Sequence, residues 1–413
     1  MKNLRFDSVL LFALVVPFIM TYRIGPGDTP YWLFGLIFSG IFVYILLDIV
    51  SLREKTYALC KLITLWTLIT LTIGSAFVSA IIVRHQTSPL YMIHDITLQQ
   101  ELALRFLLDG KNPYAVTYFN TPLEQWHYSD TEVNPALYHF VMMPFYLVFA
   151  LPFYIVSIPV LGYFDGRMPL LFLLFFLLFL SSFLTKNHEK KRLALVLFAF
   201  HPAMLPYTLE GRSDMFMFVF LFAALFLLHK KKSKLSGISM GLAFAIKQSV
   251  WPIFPFYFAY LLFQHEKIKE ALKALMPFLL TFLACTRPFL LWSPKEFIDS
   301  TVFYLSGNTP NSYPIAGYGF GMMLHQFGFI RNLHQYYPFY IWQLVLCVPA
   351  FIILLFYLKR SPSVARLVVC YGIFLFLFWY FSRYFNNNHV VYISLLFITA
   401  YFWPRNTKHE KTW

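Results

Sequence analysis

The sequence predicts an all-α polytopic membrane protein with about twelve transmembrane helices, and three observations carry that expectation. Hydrophobic residues fill 59% of the 413 positions and charged residues only 13%, with a mean hydropathy of +0.61. A chain so composed lacks the polar surface that a soluble globule presents to water. The apolar residues come in long runs, and the basic residues fall in short clusters between those runs.

A crossing helix needs ~20 apolar residues. In chain order the candidates are 8 to 24, 31 to 50, 59 to 83, 167 to 185, 193 to 208, 215 to 229, 235 to 250, 251 to 264, 274 to 292, 338 to 358, 366 to 381 and 389 to 403. The first follows a short basic lead with Lys2 and Arg5 but no small-residue cleavage site, so it reads as a retained span. The apolar segment 134 to 160 contains Pro135, Pro144, Pro152 and Pro159. If it crossed, the loop KNHEKKR at 186 to 192 would lie outside, against the basic-loop bias. As a re-entrant or interfacial element broken by its prolines, it leaves both termini cytoplasmic. The clusters at Arg53 and Lys55, Lys186 to Arg192, Lys230 to Lys234, Lys267 to Lys273, Lys359 with Arg360 and the tail from Arg405 are then all inside.

That arrangement places the two long polar loops, 84 to 133 and 293 to 337, on one exoplasmic face. Short turns at Glu210 to Asp214 and Arg383 to His389 join them, so a single wet site can draw on all four. With no linker, soluble domain or tandem repeat, residues 1 to 413 read as one domain. The net charge of +14 is spent on cytoplasmic loops, which argues against a nucleic-acid partner. Cys60, Cys285, Cys347 and Cys370 sit in apolar segments without metal-ligand spacing and read as small core residues.

The stretch HDITLQQELALRFLLDGKNPY at 94 to 114 holds His94, Asp95, Glu101, Arg105 and Asp109 beside a membrane face. Charges kept near hydrocarbon cost a few kcal/mol unless paired or wetted, so such a cluster marks a functional polar cavity. Leu98, Leu102 and Phe106 have helical spacing, and Gly110 with Pro113 ends the run. The segment therefore reads as a helix along the interface with Asp95 at its start. Asp95 serves there as a functional carboxylate or as a simple cap, and Glu101 reads as an i, i+4 partner of Arg105. Glu210, Arg212 and Asp214 form a charged turn, with Glu210 and Arg212 free to neutralise each other. Lys247, Arg287 and Arg383 stand at outer ends of spans, as phosphate-binding cations or as interfacial anchors.

Several strings then acquire meaning together. HD at 94 to 95, LLDGKNPY at 107 to 114, FHPAMLPYTLEGRSDMFMFVFLF at 200 to 222, GISMGLAFAIKQSVWPIFP at 237 to 255, EFIDSTVFYLSG at 296 to 307 and RYFNNNHVVYI at 383 to 393 occur in this order. The order resembles that of GT-C membrane glycosyltransferases over about residues 84 to 400. The nearest likeness is to family 87 polyprenyl-phosphate-mannose mannosyltransferases and to the first mannosyltransferase of glycosylphosphatidylinositol assembly. The resemblance implies a GT-C-like fold and inverting transfer of a hexose such as mannose from a polyprenyl-phosphate sugar to a lipid, glycan or protein acceptor. It also implies an outward-facing site in a prokaryotic plasma membrane. Asp95 occupies the position of the family's catalytic base, and His94, Glu101, Arg212, Asp214, Lys247, Arg287, Arg383 and His389 are the candidate substrate-binding residues. Many relatives carry D-x-D where this chain has His94, Asp95, Ile96 and Thr97, so a divalent cation stays open while no organic cofactor is implied.

The chemistry is self-consistent. A polyprenyl phosphate is an already ionised leaving group, so one carboxylate to deprotonate the acceptor suffices, and cations hold the phosphate. The competing class is a lipid or solute transporter or flippase, which predicts inverted repeats with broken helices at midplane or a dispensable Asp95.

Overall fold

The computed structural model describes residues 3–21, 30–127, 132–265 and 267–404. Lys2, the basic tail from Arg405, the end of the first expected span and residues 128–131 of the first long loop lie outside the described residues. The chain folds as helices α1 (Phe6–Thr21), α2 (Tyr31–Ile49), α3 (Glu54–Ile69), α4 (Ser75–Thr87), α5 (Asp95–Leu108), α6 (Phe145–Leu161), α7 (Arg167–Ser181), α8 (His188–Ala199) and α9 (Met204–Leu209). It continues with α10 (Asp214–His229), α11 (Ser233–Phe244), α12 (Phe254–His265), α13 (Ile268–Trp292), α14 (Pro294–Ile298), α15 (Tyr304–Ser306), α16 (Phe320–Gln326), α17 (Phe339–Arg360), α18 (Val364–Tyr380) and α19 (Asn387–Phe402). The only extended pairing among the described residues is a two-residue parallel ladder of β1 (Ala316–Gly317) and β2 (Tyr384–Phe385).

Among the described residues, four helices are long and apolar enough to cross a membrane: Tyr31–Ile49, Glu54–Thr87, Ile268–Trp292 and Phe339–Arg360. In the second, a π turn at Thr70–Gly74 welds α3 to α4 into one rod, which at 1.5 Å per residue spans about 50 Å. The other expected spans fall on shorter helices. At 12 residues each, α11 and α12 reach about 18 Å, with a 3₁₀ turn at Gln248–Ile253 between them. A count of twelve crossings therefore goes beyond what helix length establishes. The prolines of 134 to 160 do not act as expected either. Pro135 opens a 3₁₀ turn and Pro144 precedes α6, but Pro152 and Pro159 sit inside a helix that runs unbroken to Leu161. An interior proline removes one backbone bond, which apolar helices tolerate where neighbours re-satisfy the freed carbonyl.

The chain divides into two compact units, one of Met1–His94 with Arg167–Arg212 and one of Asp95–Gly166 with Ser213–Trp413. In the first unit, buried charge ties the helices together. Lys61 on α3 pairs with Asp48 of α2 at 2.9 Å, and Arg192 of α8 pairs with Asp7 of α1 at 2.6 Å. Asp48 also accepts from the Ser8 and Tyr57 hydroxyls at 2.6 and 2.7 Å, and Asp7 from that of Tyr44 at 2.6 Å. Four helices thus share one network whose two cations and two carboxylates balance, the arrangement that makes ions tolerable away from water.

In the second unit, α11 packs against α13 through glycines. A Cβ on Gly241 would lie 2.7 Å from the Phe278 carbonyl, and one on Gly237 would lie 3.1 Å from the Phe278 nitrogen. Small residues four apart let two backbones approach where lipid supplies no hydrophobic drive between helices. The loop before α6 is stitched to the end of α11 by Met143 and Phe145, whose amides donate to the Ile246 and Ala245 carbonyls at 3.0 and 2.8 Å.

Candidate functional site

Helix α5 begins at Asp95 and ends at Leu108, as the spacing predicts, and is closed by Gly110 in the left-handed region at φ +74°. The turn that follows is held by Asn112, whose side chain accepts from the Tyr114 amide at 3.1 Å. The surroundings differ from the expected interfacial helix. Every residue from Thr97 to Leu104 is buried, including the four polar ones Thr97, Gln99, Gln100 and Glu101. Gln99 donates to the Ala136 and His139 carbonyls at 2.6 and 2.9 Å, and Gln100 to the Tyr146 carbonyl at 2.9 Å. Glu101 accepts from the Gly166 amide at 3.0 Å. Backbone partners make polar side chains affordable inside protein, so α5 is an internal helix of its unit. Arg105 is exposed while Glu101 is buried, and the expected i, i+4 pair does not form.

Asp95 stands half-buried at the positive end of the α5 dipole. It accepts a hydrogen bond from Asn134 Nδ2 at 3.2 Å, while Asn134 Oδ1 caps its own 3₁₀ turn through the Ala136 amide at 2.9 Å. Asn134 is thereby fixed at both ends and holds the carboxylate in place.

A second polar group is assembled from three distant segments of the same unit. Lys247, just after α11, donates to Asp214 Oδ1 of α10 at 2.8 Å. Asn388 of α19 donates to Asp214 Oδ2 at 3.4 Å, and the His389 ring lies within electrostatic reach of both Asp214 and Lys247. A reciprocal cap orients His389: Asn386 accepts from the His389 amide, and His389 Nδ1 accepts from the Asn386 amide at 2.9 Å. That leaves Nε2 as the donor of the neutral ring. Trp379 and Tyr384 flank it with ring centroids at 4.3 and 5.1 Å. Lys247 keeps 19% of its side chain exposed and spends one of three N–H donors on Asp214, so the pair aims the ammonium without consuming it. Tyr146 of α6 relates the two groups. Its hydroxyl is buried beside the Thr97 side chain, and it lies within electrostatic reach of Glu101, Asp95 and Asp214.

The remaining expected residues are placed differently. Arg383 is buried and donates through Nε, Nη1 and Nη2 to the carbonyls of Tyr313, Gln335 and Leu333 at 2.7, 2.9 and 3.2 Å. The guanidinium lies against Gly307, where a Cβ would meet Nη1 at 2.6 Å. This corrects the picture of Arg383 as an open phosphate clamp, because its work here is to hold the 293 to 337 loop by its backbone. Arg287 on α13 is exposed. In the first unit, Arg212 pairs with Glu210 at 3.1 Å and stacks 4.1 Å from the Tyr207 ring, the self-neutralising turn weighed above. His94 donates its amide to the Glu210 carbonyl at 2.7 Å.

Three participants carry no signal in the linear sequence: Asn134, Tyr146 and Asn388 acquire partners only through the fold. The same holds for His139, whose ring bridges Ser300 Oγ at 3.4 Å and the Pro310 carbonyl at 3.2 Å. Burial pulls its pKa below the ordinary histidine value. Among the described residues, no group of three His, Cys, Asp or Glu side chains is placed to hold a metal ion.

Comparison with known proteins gives one family. The model described as Glycosyltransferase family 87 matches residues 140–382, more than half of the chain. The matched region contains Tyr146, Arg212, Asp214, Lys247 and Arg287, while Asp95, Arg383 and His389 lie beyond its ends. No curated protein and no solved structure matches the chain.

Proposed function

The chain belongs to glycosyltransferase family 87, and from that premise we propose that it transfers a hexose such as mannose, with inversion, from a polyprenyl-phosphate donor to a lipid or glycan acceptor at the exoplasmic face of a plasma membrane. The observation that supports this reading is the presence, in one unit, of a carboxylate held by an amide and of a partly open ammonium held by a carboxylate. Inverting transfer from an ionised leaving group asks for those two things.

In this reading the acceptor oxygen attacks the anomeric carbon while its proton passes to Asp95, and the bond from that carbon to the phosphate oxygen breaks on the opposite face. The departing polyprenyl phosphate gains one negative charge. Lys247 meets that charge with its two remaining N–H donors, a charge-assisted contact stronger than a neutral one. Asp214, Asn388 and His389 keep the ammonium aimed. Glu101 is less suited to the base's task, because it is buried and engaged by the Gly166 amide.

Purified protein incubated with a panel of radiolabelled polyprenyl-phosphate sugars tests the proposal. The expected result is transfer from one member of the panel and none from the corresponding nucleotide sugars. Activity confined to nucleotide sugars would overturn the donor assignment while leaving the family intact.

A further inference from the structure

Within the 293 to 337 loop, Ile315, Phe320, Leu324 and Ile330 build a small core with Phe339, the first residue of α17. One part of this element does the reverse of packing. Directly after α16 the chain turns sharply and presents Phe327 and Phe329, 68% and 72% exposed, on either side of Gly328. The turn is held by its backbone: Gly328 takes φ +77°, and the amides of Phe327, Gly328 and Phe329 donate to the carbonyls of Met323, His325 and Leu324 at 3.1, 3.0 and 3.0 Å. His325 Nδ1 donates to the Ile330 carbonyl at 2.7 Å and braces the turn further. Two phenylalanines are therefore held outward by a braced backbone, although inward positions on the same element are filled by apolar side chains.

The element is joined to a membrane helix. Phe320 and Trp342 pack with ring centroids at 5.0 Å, and Trp342 Nε1 donates to the Tyr337 hydroxyl at 3.1 Å. Thus α16 rests on the first turn of α17, and at seven residues it is about 10 Å long. Helix α17 is a candidate membrane span with an extensive exposed apolar surface that includes Leu344, Val345, Ile352, Ile353 and Phe356. Its first turn carries exposed Tyr340 and Trp342, residue types that settle where hydrocarbon meets headgroups. Exposed Arg331, two positions beyond Phe329, suits the phosphates of that layer.

We propose that the Phe327–Phe329 tip is a wedge inserted into the lipid leaflet at the N-terminal end of α17, with its two rings in the outer acyl region and Arg331 among the headgroups. Its surface continues the lipid-facing surface of α17. The wedge would anchor, at a set depth, the loop that Arg383 holds by its backbone.

The test uses the full-length chain in nanodiscs of phosphatidylcholine and phosphatidylglycerol. A nitroxide is attached at Phe327→Cys or Phe329→Cys after the four native cysteines are replaced. Accessibility to oxygen and to a water-soluble nickel complex is compared with Ile353→Cys on the lipid face of α17 and with Asn311→Cys on a polar turn. The tip labels should resemble Ile353, with high oxygen and low nickel accessibility. Values like those of Asn311 would overturn the proposal, and so would low accessibility to both reagents, which would mean a protein partner or a second copy covers the tip. Hydroxyl-radical footprinting of the unaltered chain supplies a second readout, since Phe327 and Phe329 should be protected in nanodiscs relative to exposed His334. Equal oxidation would count against the wedge whatever the labelled variants do.

Discussion

Asp95 is held by an amide, so its chemistry and its contacts can be separated. Asparagine keeps the size, still accepts from Asn134, and caps a helix about as well as aspartate, yet it cannot take the acceptor's proton. We expect Asp95→Asn to leave detergent stability unchanged while turnover falls by ~10² to 10⁴, as measured by thermal unfolding beside a radiolabel assay. Turnover near that of the native protein would transfer the base's role elsewhere, with Glu101 the next carboxylate to test. Lys247 needs a paired design, because removing it alone strands buried Asp214 and loses stability by about 3 to 5 kcal/mol, as for other broken buried pairs. The double variant Lys247→Ala with Asp214→Asn should regain most of that stability. Its apparent KM for the donor should nevertheless stay raised about tenfold or more, the worth of a lost charge-assisted contact. Recovery of donor binding along with stability would reduce Lys247 to a structural ion.

At the scale of elements, the first unit depends on ions that no one helix reveals. Asp7, Asp48 and Lys61 each lie in a different apolar helix and are fully buried, and each alone makes its helix costlier to place in lipid. Met in place of Lys61 would leave Asp48 and Asp7 with the Arg192 cation alone. We expect Lys61→Met to destabilise the protein by about 3 to 5 kcal/mol, and Lys61→Met with Asp48→Asn to cost clearly less than the single change, because neighbours in one network are not additive. Thermal midpoints of the two variants in one detergent would decide this. Equal losses would show that packing around Lys61, and not its charge, joins α1, α2, α3 and α8. Helix α5 shows a related effect at a different element: its glutamines and Glu101 are turned inward because the carbonyls and amides of 136–166 are there to meet them.

For the whole molecule, the orientation in the bilayer is the statement most open to direct measurement. The basic loops 186 to 192 and 230 to 234 should face the cytoplasm, and 84 to 133 with 293 to 337 the exterior, since this arrangement keeps every basic cluster inside. His188→Cys should resist a membrane-impermeant thiol reagent in intact cells and react after permeabilisation, while Lys295→Cys should react in both. Labelling of position 188 from outside would overturn the topology and the exoplasmic placement of the site with it.

The sequence by itself determined the class of molecule, the helical nature of nearly every element, the extent of α5 and the order of motifs that points to the family. These are properties of composition and local periodicity, and neither depends on which segments meet. It also named Asp95, Asp214, Lys247 and His389, because an ionisable residue in apolar surroundings stands out without a partner in view. Only the tertiary structure decided what each one faces. Lys247 and Arg383 look alike in the linear chain, both cations at the end of an apolar run, yet one meets a carboxylate and keeps an open side, and the other meets three carbonyls and is used up. Asn134 and Asn388 were invisible for the complementary reason, since an amide has no charge to betray it and draws its role wholly from the group it is folded against. A side chain's chemistry is written in its residue type, but its assignment depends on desolvation and on partners dozens of residues away, and those exist only once the helices have packed.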